Sequence, residues 1–439
     1  MSGAPVFVCH GCGAKVDAAK AFPFGCPNAR ADDDVDHVLV APGAAAFTPP
    51  TSVRGFGGGD AAAAGEADPF LRYRGWLSPY HLALAAGLPD AAWVDLVGEL
   101  DAALIRVDGR GFRITPFARQ PALAQALGLT GDLWIKDETH NVSGSHKGRH
   151  LMGLMLYLRV LERAGLPLGE DLRKRRLAIA SCGNAALAAA VIARAADWPL
   201  DVFIPTDAEA SVVRRLADLG ARAIICERNA GGAGDPCVHA VRSAVAAGAI
   251  PFGVQGPDNG LAVEGVRTLA FEIAEALPAL DALYVQVGGG ALASALAQGF
   301  DIAVKAGLAA RAPRLIAVQT EGCAPLVRAW ERLEGVDLAA AALNRKRFMW
   351  SWETTPHSLA HGILDDETYD WWEIAKAILE NGGGAVVVTE AAVARAFELA
   401  RQHTEIRTSA TGSAGLAGAL VAPITQGTAA AILSGIDRS

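Results

Sequence analysis

From about residue 133 onward, short apolar runs of β type alternate with stretches of helical periodicity, and this alternation fixes the fold class. Strands are expected near 133–136, 177–180, 201–204, 221–226, 283–287, 315–319, 385–389 and 429–433. Helices are expected between them near 147–165, 184–197, 208–219, 236–248, 261–277, 291–307, 390–402 and 412–422. Strands separated by helices run mostly parallel, in open α/β sheets covered on both faces. Ligands then bind beyond the carboxyl ends of the strands.

Four segments with chemical character follow such strands. In the first, Ser143, Gly144, Ser145 and His146 lead into Lys147 at the start of a long apolar helix. An amine there feels the positive end of the helix dipole and, when buried, loses hydration, so its neutral form becomes accessible. Neutral lysine attacks an aldehyde carbon; taken alone, the residue reads equally well as a solvated surface charge. The second segment, Ser181, Cys182, Gly183 and Asn184, turns from an apolar strand into an alanine-rich helix. Such a turn aims backbone N–H groups at an anion, and the asparagine amide can reach a ring substituent. The third is Gly288, Gly289 and Gly290, followed by Ala291 and Leu292. Three glycines let the backbone approach a phosphate closely, although the loop alone also fits a sharp connection or a nucleotide site. The fourth, Ser434 and Gly435, closes the last strand and by itself is a plain turn.

In this order the four segments resemble the fold-type II pyridoxal-phosphate enzymes, which include threonine synthase, threonine and serine dehydratases and cysteine synthase. The resemblance covers roughly 110–439. It implies two open, mostly parallel sheets of the tryptophan synthase β-like fold. It also implies that Lys147 carries pyridoxal 5'-phosphate, that Asn184 lies by the phenolate oxygen, and that Gly288, Gly289, Gly290, Ala291 and Leu292 take the phosphate. Ser434 would place its hydroxyl beside the pyridine nitrogen. Ser143, Ser145, Ser181, Gly183 and Asn184 would hold the substrate. The family's layout further implies a large cofactor-binding domain from 111–150 and 255–439, a small mobile domain at 151–254, and a homodimer. Residues 43–110 read as a linker or arm followed by helices, with 43–66 rich in Gly, Ala and Pro.

Composition is compatible with this. The chain has 439 residues, enough for two or three domains, and its net charge of −8 with no basic stripe argues against nucleic acid. Charged and polar residues interrupt the apolar stretches before they reach the roughly 18 residues of a membrane span. An odd count of 7 cysteines and an opening without a basic region and apolar run point to a reducing, cytoplasmic setting.

Within 1–42, Cys9 and Cys12 form half of a zinc knuckle, and Cys26 follows after 13 residues. Ala29 stands where a fourth cysteine would close the site, so the segment resembles the cysteine-rich N-terminal ribbon of several threonine synthases with one ligand missing, a degenerate zinc ribbon. Either His37 or one of Asp32, Asp33 and Asp34 completes a structural zinc site on Cys9, Cys12 and Cys26, or the segment is a metal-free relic. The missing ligand favours the relic.

A hydroxyl at position 434 cannot keep a pyridine nitrogen protonated at neutral pH. Charge developing at the substrate α-carbon is then stabilised less, and expulsion of a β substituent is favoured over transamination. The stretches 263–273 and 317–326 look closest to threonine synthases, yet 256–262 lacks their phosphate-gripping arginine. Asp258 there would repel a dianion and Ala262 cannot pair with one, a loss of about 1.5–3 kcal/mol. The leading expectation is a lyase performing α,β-elimination on a small hydroxy- or amino-substituted amino acid. Threonine synthase or a β-replacement synthase is the alternative, and a catalytically silent binding protein is the non-enzyme alternative. His146, where relatives carry an aromatic, either serves as an acid for the leaving group or turns away onto a backbone carbonyl. His140, His357 and His361 are remoter candidates for the same role, and Asp365, Asp366 and Glu367 read as a solvated acidic turn.

Overall fold

The computed structural model describes residues 3–30, 33–43, 67–227 and 234–438. Most of the segment read as a linker, 44–66, lies outside the described residues. Thirteen strands are described, in three sheets. A six-stranded sheet contains β4 (Phe117–Arg119), β5 (Asp132–Asp137), β10 (Ala282–Gln286), β11 (Arg314–Thr320), β12 (Gly383–Val388) and β13 (Thr428–Leu433), in the order β12-β11-β10-β13-β5-β4. All its pairings are parallel except the edge pair β4 with β5. A four-stranded parallel sheet contains β6 (Leu177–Ala180), β7 (Leu200–Pro205), β8 (Arg222–Cys226) and β9 (Ile250–Pro251), in the order β8-β7-β6-β9. The N-terminal ribbon is a small antiparallel sheet of β1 (Val6–Cys9), β2 (Lys15–Asp17) and β3 (Leu39–Val40).

The central strands are buried on both faces, which is why they read as unbroken apolar runs rather than alternating ones. β13 uses Ala429, Ala430 and Ala431, whose small side chains let helices lie close on either side. All eight expected strands form. The helix expected over 261–277 begins only at Arg267, and the chain runs as turns from 260 to 266. Gly265 is pressed there against the Arg149 carbonyl, so that close approach, not helix, is what the backbone satisfies. The ribbon is not an appendage. Phe7, Cys9, Val16, Cys26 and Leu39 belong to the same buried cluster as Leu154 and Met155 of the Lys147–Arg163 helix. No helix among the described residues is long and apolar enough to cross a membrane.

One topological fact positions the site. β13, the last strand in the chain, inserts between β10 and β5. The loops after these three strands, carrying Ser434, Gly288 to Gly290 and Lys147, therefore end side by side. The Ser181–Asn184 turn leaves β6 in the other sheet and begins the Asn184–Ala195 helix.

Candidate active site

Lys147 is the first residue of its helix and is half-buried. Among the described residues its Nζ makes no hydrogen bond or ion pair. Burial lowers its pKa, against the nearby charges of Asp365 and Asp370, which favour the ammonium. The loop before it is held rigidly. Asn141 caps a short turn by accepting from the Val142 N–H at 2.8 Å, and Asp108 accepts from the Ser143 N–H at 2.8 Å. Ser143 has φ of 59°, a left-handed conformation that costs a non-glycine residue of order 1–3 kcal/mol and clusters at functional sites. The Oγ atoms of Ser143 and Ser145 are buried with no partner. Unsatisfied buried hydroxyls of this kind call for a ligand.

Beneath the loop lies an ion network that the sequence reading missed. Arg149 donates to Glu138 at 2.9 Å and to Glu272 at 2.5 Å, and Lys136 donates to Glu272 at 2.5 Å, all fully buried. These bonds fix the end of β5 to the start of the lysine helix.

The glycine loop is fixed from behind. Thr368 donates to the Gly288 carbonyl at 3.0 Å, and Asp370 N–H to the Gly289 carbonyl at 3.1 Å. Gly290, with φ of 96°, precedes the Ala291–Lys305 helix and offers no side-chain cap. The first-turn N–H groups, those of Ala291 and Leu292 included, thus face outward without intrahelical acceptors. Asp365 already accepts from the Gly289 N–H at 2.7 Å. The acidic run 365–367 is accordingly no solvated turn. Asp365 packs on the glycine loop, and Glu367 pairs with Arg345 at 2.6 Å.

Ser434 is 3% exposed at the end of β13. Its Oγ accepts from the His146 N–H at 3.0 Å and lies 2.5 Å from His146 Nδ1. His146 therefore turns neither to a leaving group nor to a backbone carbonyl. Burial, and then the charge of Lys147, hold its pKa well below the usual value. Asn184 Oδ1 accepts from Arg438 at 2.7 Å, and the same guanidinium donates to the Ser143 carbonyl at 2.8 Å. Ser181 Oγ accepts from the N–H groups of Gly183 and Ala186 at 3.3 Å each. His140, His357 and His361 are exposed.

In the ribbon, the fold supplies the donor that Ala29 lacks. Sγ of Cys9, Cys12 and Cys26 and a ring nitrogen of His37 lie within 4.8 Å of one another. Cys9 Sγ is 3.6 Å from His37 Nδ1, and Cys12 Sγ is 3.5 Å from Cys26 Sγ. Asp33 holds His37 Nε2 at 3.0 Å.

A family profile described as Pyridoxal-phosphate dependent enzyme matches residues 110–435. The chain is 29% identical over 221 residues to an L-serine dehydratase of Saccharomyces cerevisiae, covering 48% of this chain and 63% of that one. It is 26% identical over 279 residues to a threonine synthase of Methanosarcina acetivorans, covering 63% and 61%. The chain thus spans about three-fifths of the length of these curated relatives. Among solved structures, maize serine racemase superposes with a TM-score of 0.58 at 18% identity, over 78% of this chain and 94% of that one. With the profile spanning most of its length, and with the lysine, glycine-loop and serine segments brought together on three neighbouring strands, the chain belongs to the pyridoxal-phosphate dependent enzyme family.

Proposed function

We propose that this protein is a lyase that performs α,β-elimination on a small hydroxy- or amino-substituted amino acid, releasing ammonia and a keto acid. The observation that carries the reading is Ser434: a hydroxyl, not a carboxylate, stands between the lysine loop and the glycine loop. The similarity to an L-serine dehydratase and to an L-threonine ammonia-lyase of Thermotoga maritima, 28% identical over 242 residues, supports it.

The residues present fit pyridoxal phosphate. Lys147 offers an unpaired amine, the uncapped helix after Gly290 offers N–H groups for the phosphate, and the carboxylate of Asp365 on Gly289 N–H is an anion already drawn to that loop. When bound, the cofactor supplies an electron sink next to the substrate α-carbon. The chain's part is to place and move protons. The neutral amine of Lys147 takes the α-proton, and the unpartnered hydroxyls of Ser143 and Ser145, with the Ser181–Asn184 turn, hold the substrate carboxylate.

Against phosphohomoserine stands the pairing of the nearby cations. Arg242 is tied to Asp258 at 2.9 Å, and Arg345 to Asp36 and Glu367, so neither is free for a phosphate. Offering serine, threonine and phosphohomoserine to the holoenzyme separates the two readings. Keto acid from the hydroxy amino acids is expected; phosphate release with no keto acid would reverse the assignment to threonine synthase.

The same reading includes a structural zinc on Cys9, Cys12, Cys26 and His37. Its donor chemistry and the Asp33 contact to the histidine are those of a closed structural site. It also includes the 151–254 segment moving as a small domain, the 111–150 and 255–439 segments forming the large one, and a cytoplasmic homodimer.

A further inference from the structure

We propose that His146 is a positioning residue that makes the Ser434 hydroxyl a hydrogen-bond donor toward the ring nitrogen of the cofactor. The inference rests on the reading that the cofactor binds at Lys147. Its starting point is the double contact of one oxygen: Ser434 Oγ meets both the backbone N–H and Nδ1 of His146, which is itself 9% exposed.

The proton on the imidazole has two possible places. If Nε2 carries it, that N–H is buried with nothing to bond, because Nε2 has no partner among the described residues. The Ser434 proton is then spent on Nδ1, and only an oxygen lone pair faces the cofactor. If Nδ1 carries it, the ring donates to Ser434, and what remains unpaired on Nε2 is a bare lone pair. Buried N–H groups without acceptors are rarer than acceptors without donors, so the second arrangement wins. The neighbouring ring agrees. His150 Nδ1 lies 2.5 Å from the Ala262 carbonyl, which can only accept, so His150 carries its proton on Nδ1 and presents a bare Nε2 as well. The two rings meet edge to face, 5.7 Å apart. An imidazolium is disfavoured by burial and by the charges of Lys147 and Arg149.

With two N–H groups donating to its oxygen, Ser434 has its own proton left for a third atom. Donated to a bare ring nitrogen, that proton keeps the nitrogen unprotonated, which limits charge withdrawal into the ring and favours expulsion of the β substituent.

The test uses the holoenzyme. His146→Phe keeps the ring's size and removes the donor, and His146→Asn puts an amide N–H near the Nδ1 position. The Phe variant is expected to raise the cofactor dissociation constant about fivefold, the size of one hydrogen bond, and the Asn variant to recover most of that. In a Ser434→Ala background the His146→Phe effect should vanish. Nitrogen-15 NMR of ring-labelled cofactor should show an unprotonated ring nitrogen in the wild type. Tighter or unchanged binding in His146→Phe, or a protonated ring nitrogen in the wild type, overturns the proposal. Absence of any borohydride-reducible adduct on Lys147 would instead overturn the reading beneath it.

Discussion

Asp365 decides what the glycine loop can hold. Its carboxylate takes the Gly289 N–H that a phosphate would use, and two anions cannot share that donor. Burial raises its pKa while Lys147 opposes the rise, so the side chain is under electrostatic stress where it sits. Asp365 in turn favours the ammonium form of Lys147. Removing it therefore acts twice in one direction: the loop is cleared for phosphate, and the lysine amine is more readily neutral. Asp365→Ala is expected to bind pyridoxal phosphate about tenfold more tightly, the lower end of one charge-assisted hydrogen bond. Titration followed by absorbance measures it, and an unchanged or weaker affinity would mean that the carboxylate leaves the loop at no cost. In the sequence Asp365 reads only as part of a solvated acidic turn, and nothing local there points it at the glycine loop. Lys147 and Gly288 to Gly290 were legible because each follows a strand and opens or precedes a helix, and Ser434 because it closes the last strand. Asp365 reaches the loop from a connection with no such periodicity, and Arg438 reaches Asn184 from the chain's far end.

The elements most legible in the sequence were the long alternating ones, because the change of period from strand to helix is a local signal. The ion network under the lysine loop was not legible, since Lys136 and Glu272 stand 136 residues apart and only the fold pairs them. The short helix Pro69–Arg72 shows how such remote pairing also sets an element's pH response. Its N-cap, Asp68, accepts from the Phe70 N–H at 2.7 Å and is 5% exposed. Burial, and next the negative charge of Asp101, push its pKa up to about 7. The unfolded value is about 3.9, so the native state binds more protons between these limits and stability falls as pH rises from about 4 to 7. Asn caps a helix as well as Asp does but carries no charge. Asp68→Asn is thus expected to equal the wild type near pH 4 and to exceed it by roughly 1–3 kcal/mol at pH 8, a discount on the full linkage term of about 4 kcal/mol for relaxation around the buried charge. Denaturant unfolding at the two pH values checks this, and parallel stability curves would show that the carboxylate stays ionised in the fold.

At the scale of the molecule, the ribbon forms one wall of a cavity of about 490 Å³, opposite Arg242 and Tyr369. Asp36 fastens it there, held between His10 at 3.0 Å and Arg345 at 3.0 Å, while the Tyr157 hydroxyl donates to the Ala18 carbonyl at 3.0 Å. The missing fourth cysteine favours a relic in the sequence because Cys-x-x-Cys spacing is a local signal, whereas His37, one of several candidate fourth donors there, comes near the cysteines only through the fold. Zinc bonds of about 2.3 Å to sulfur and 2.0–2.1 Å to nitrogen, at tetrahedral angles, put donor atoms roughly 3.5–3.8 Å apart. The Cys9–His37 separation of 3.6 Å fits that spacing, the Cys12–Cys26 separation of 3.5 Å is slightly shorter than two zinc-bound sulfurs would take, and all four donors lie within 4.8 Å of one another. Zinc bound to the folded ribbon alone would stabilise the native state by mass action, and because Cys9 and Cys26 sit in the shared core, that stabilisation would belong to the whole chain. The full-length protein is expected to carry one zinc ion by elemental analysis and to melt at a lower temperature once a chelator removes it. Asp33→Ala, which leaves all four donors in place, should weaken zinc binding about 10- to 100-fold, because the carboxylate fixes the ring and raises its basicity. Protein made in zinc-supplemented medium that holds no metal, and whose melting temperature ignores chelator, would show that the four donors are packing groups only.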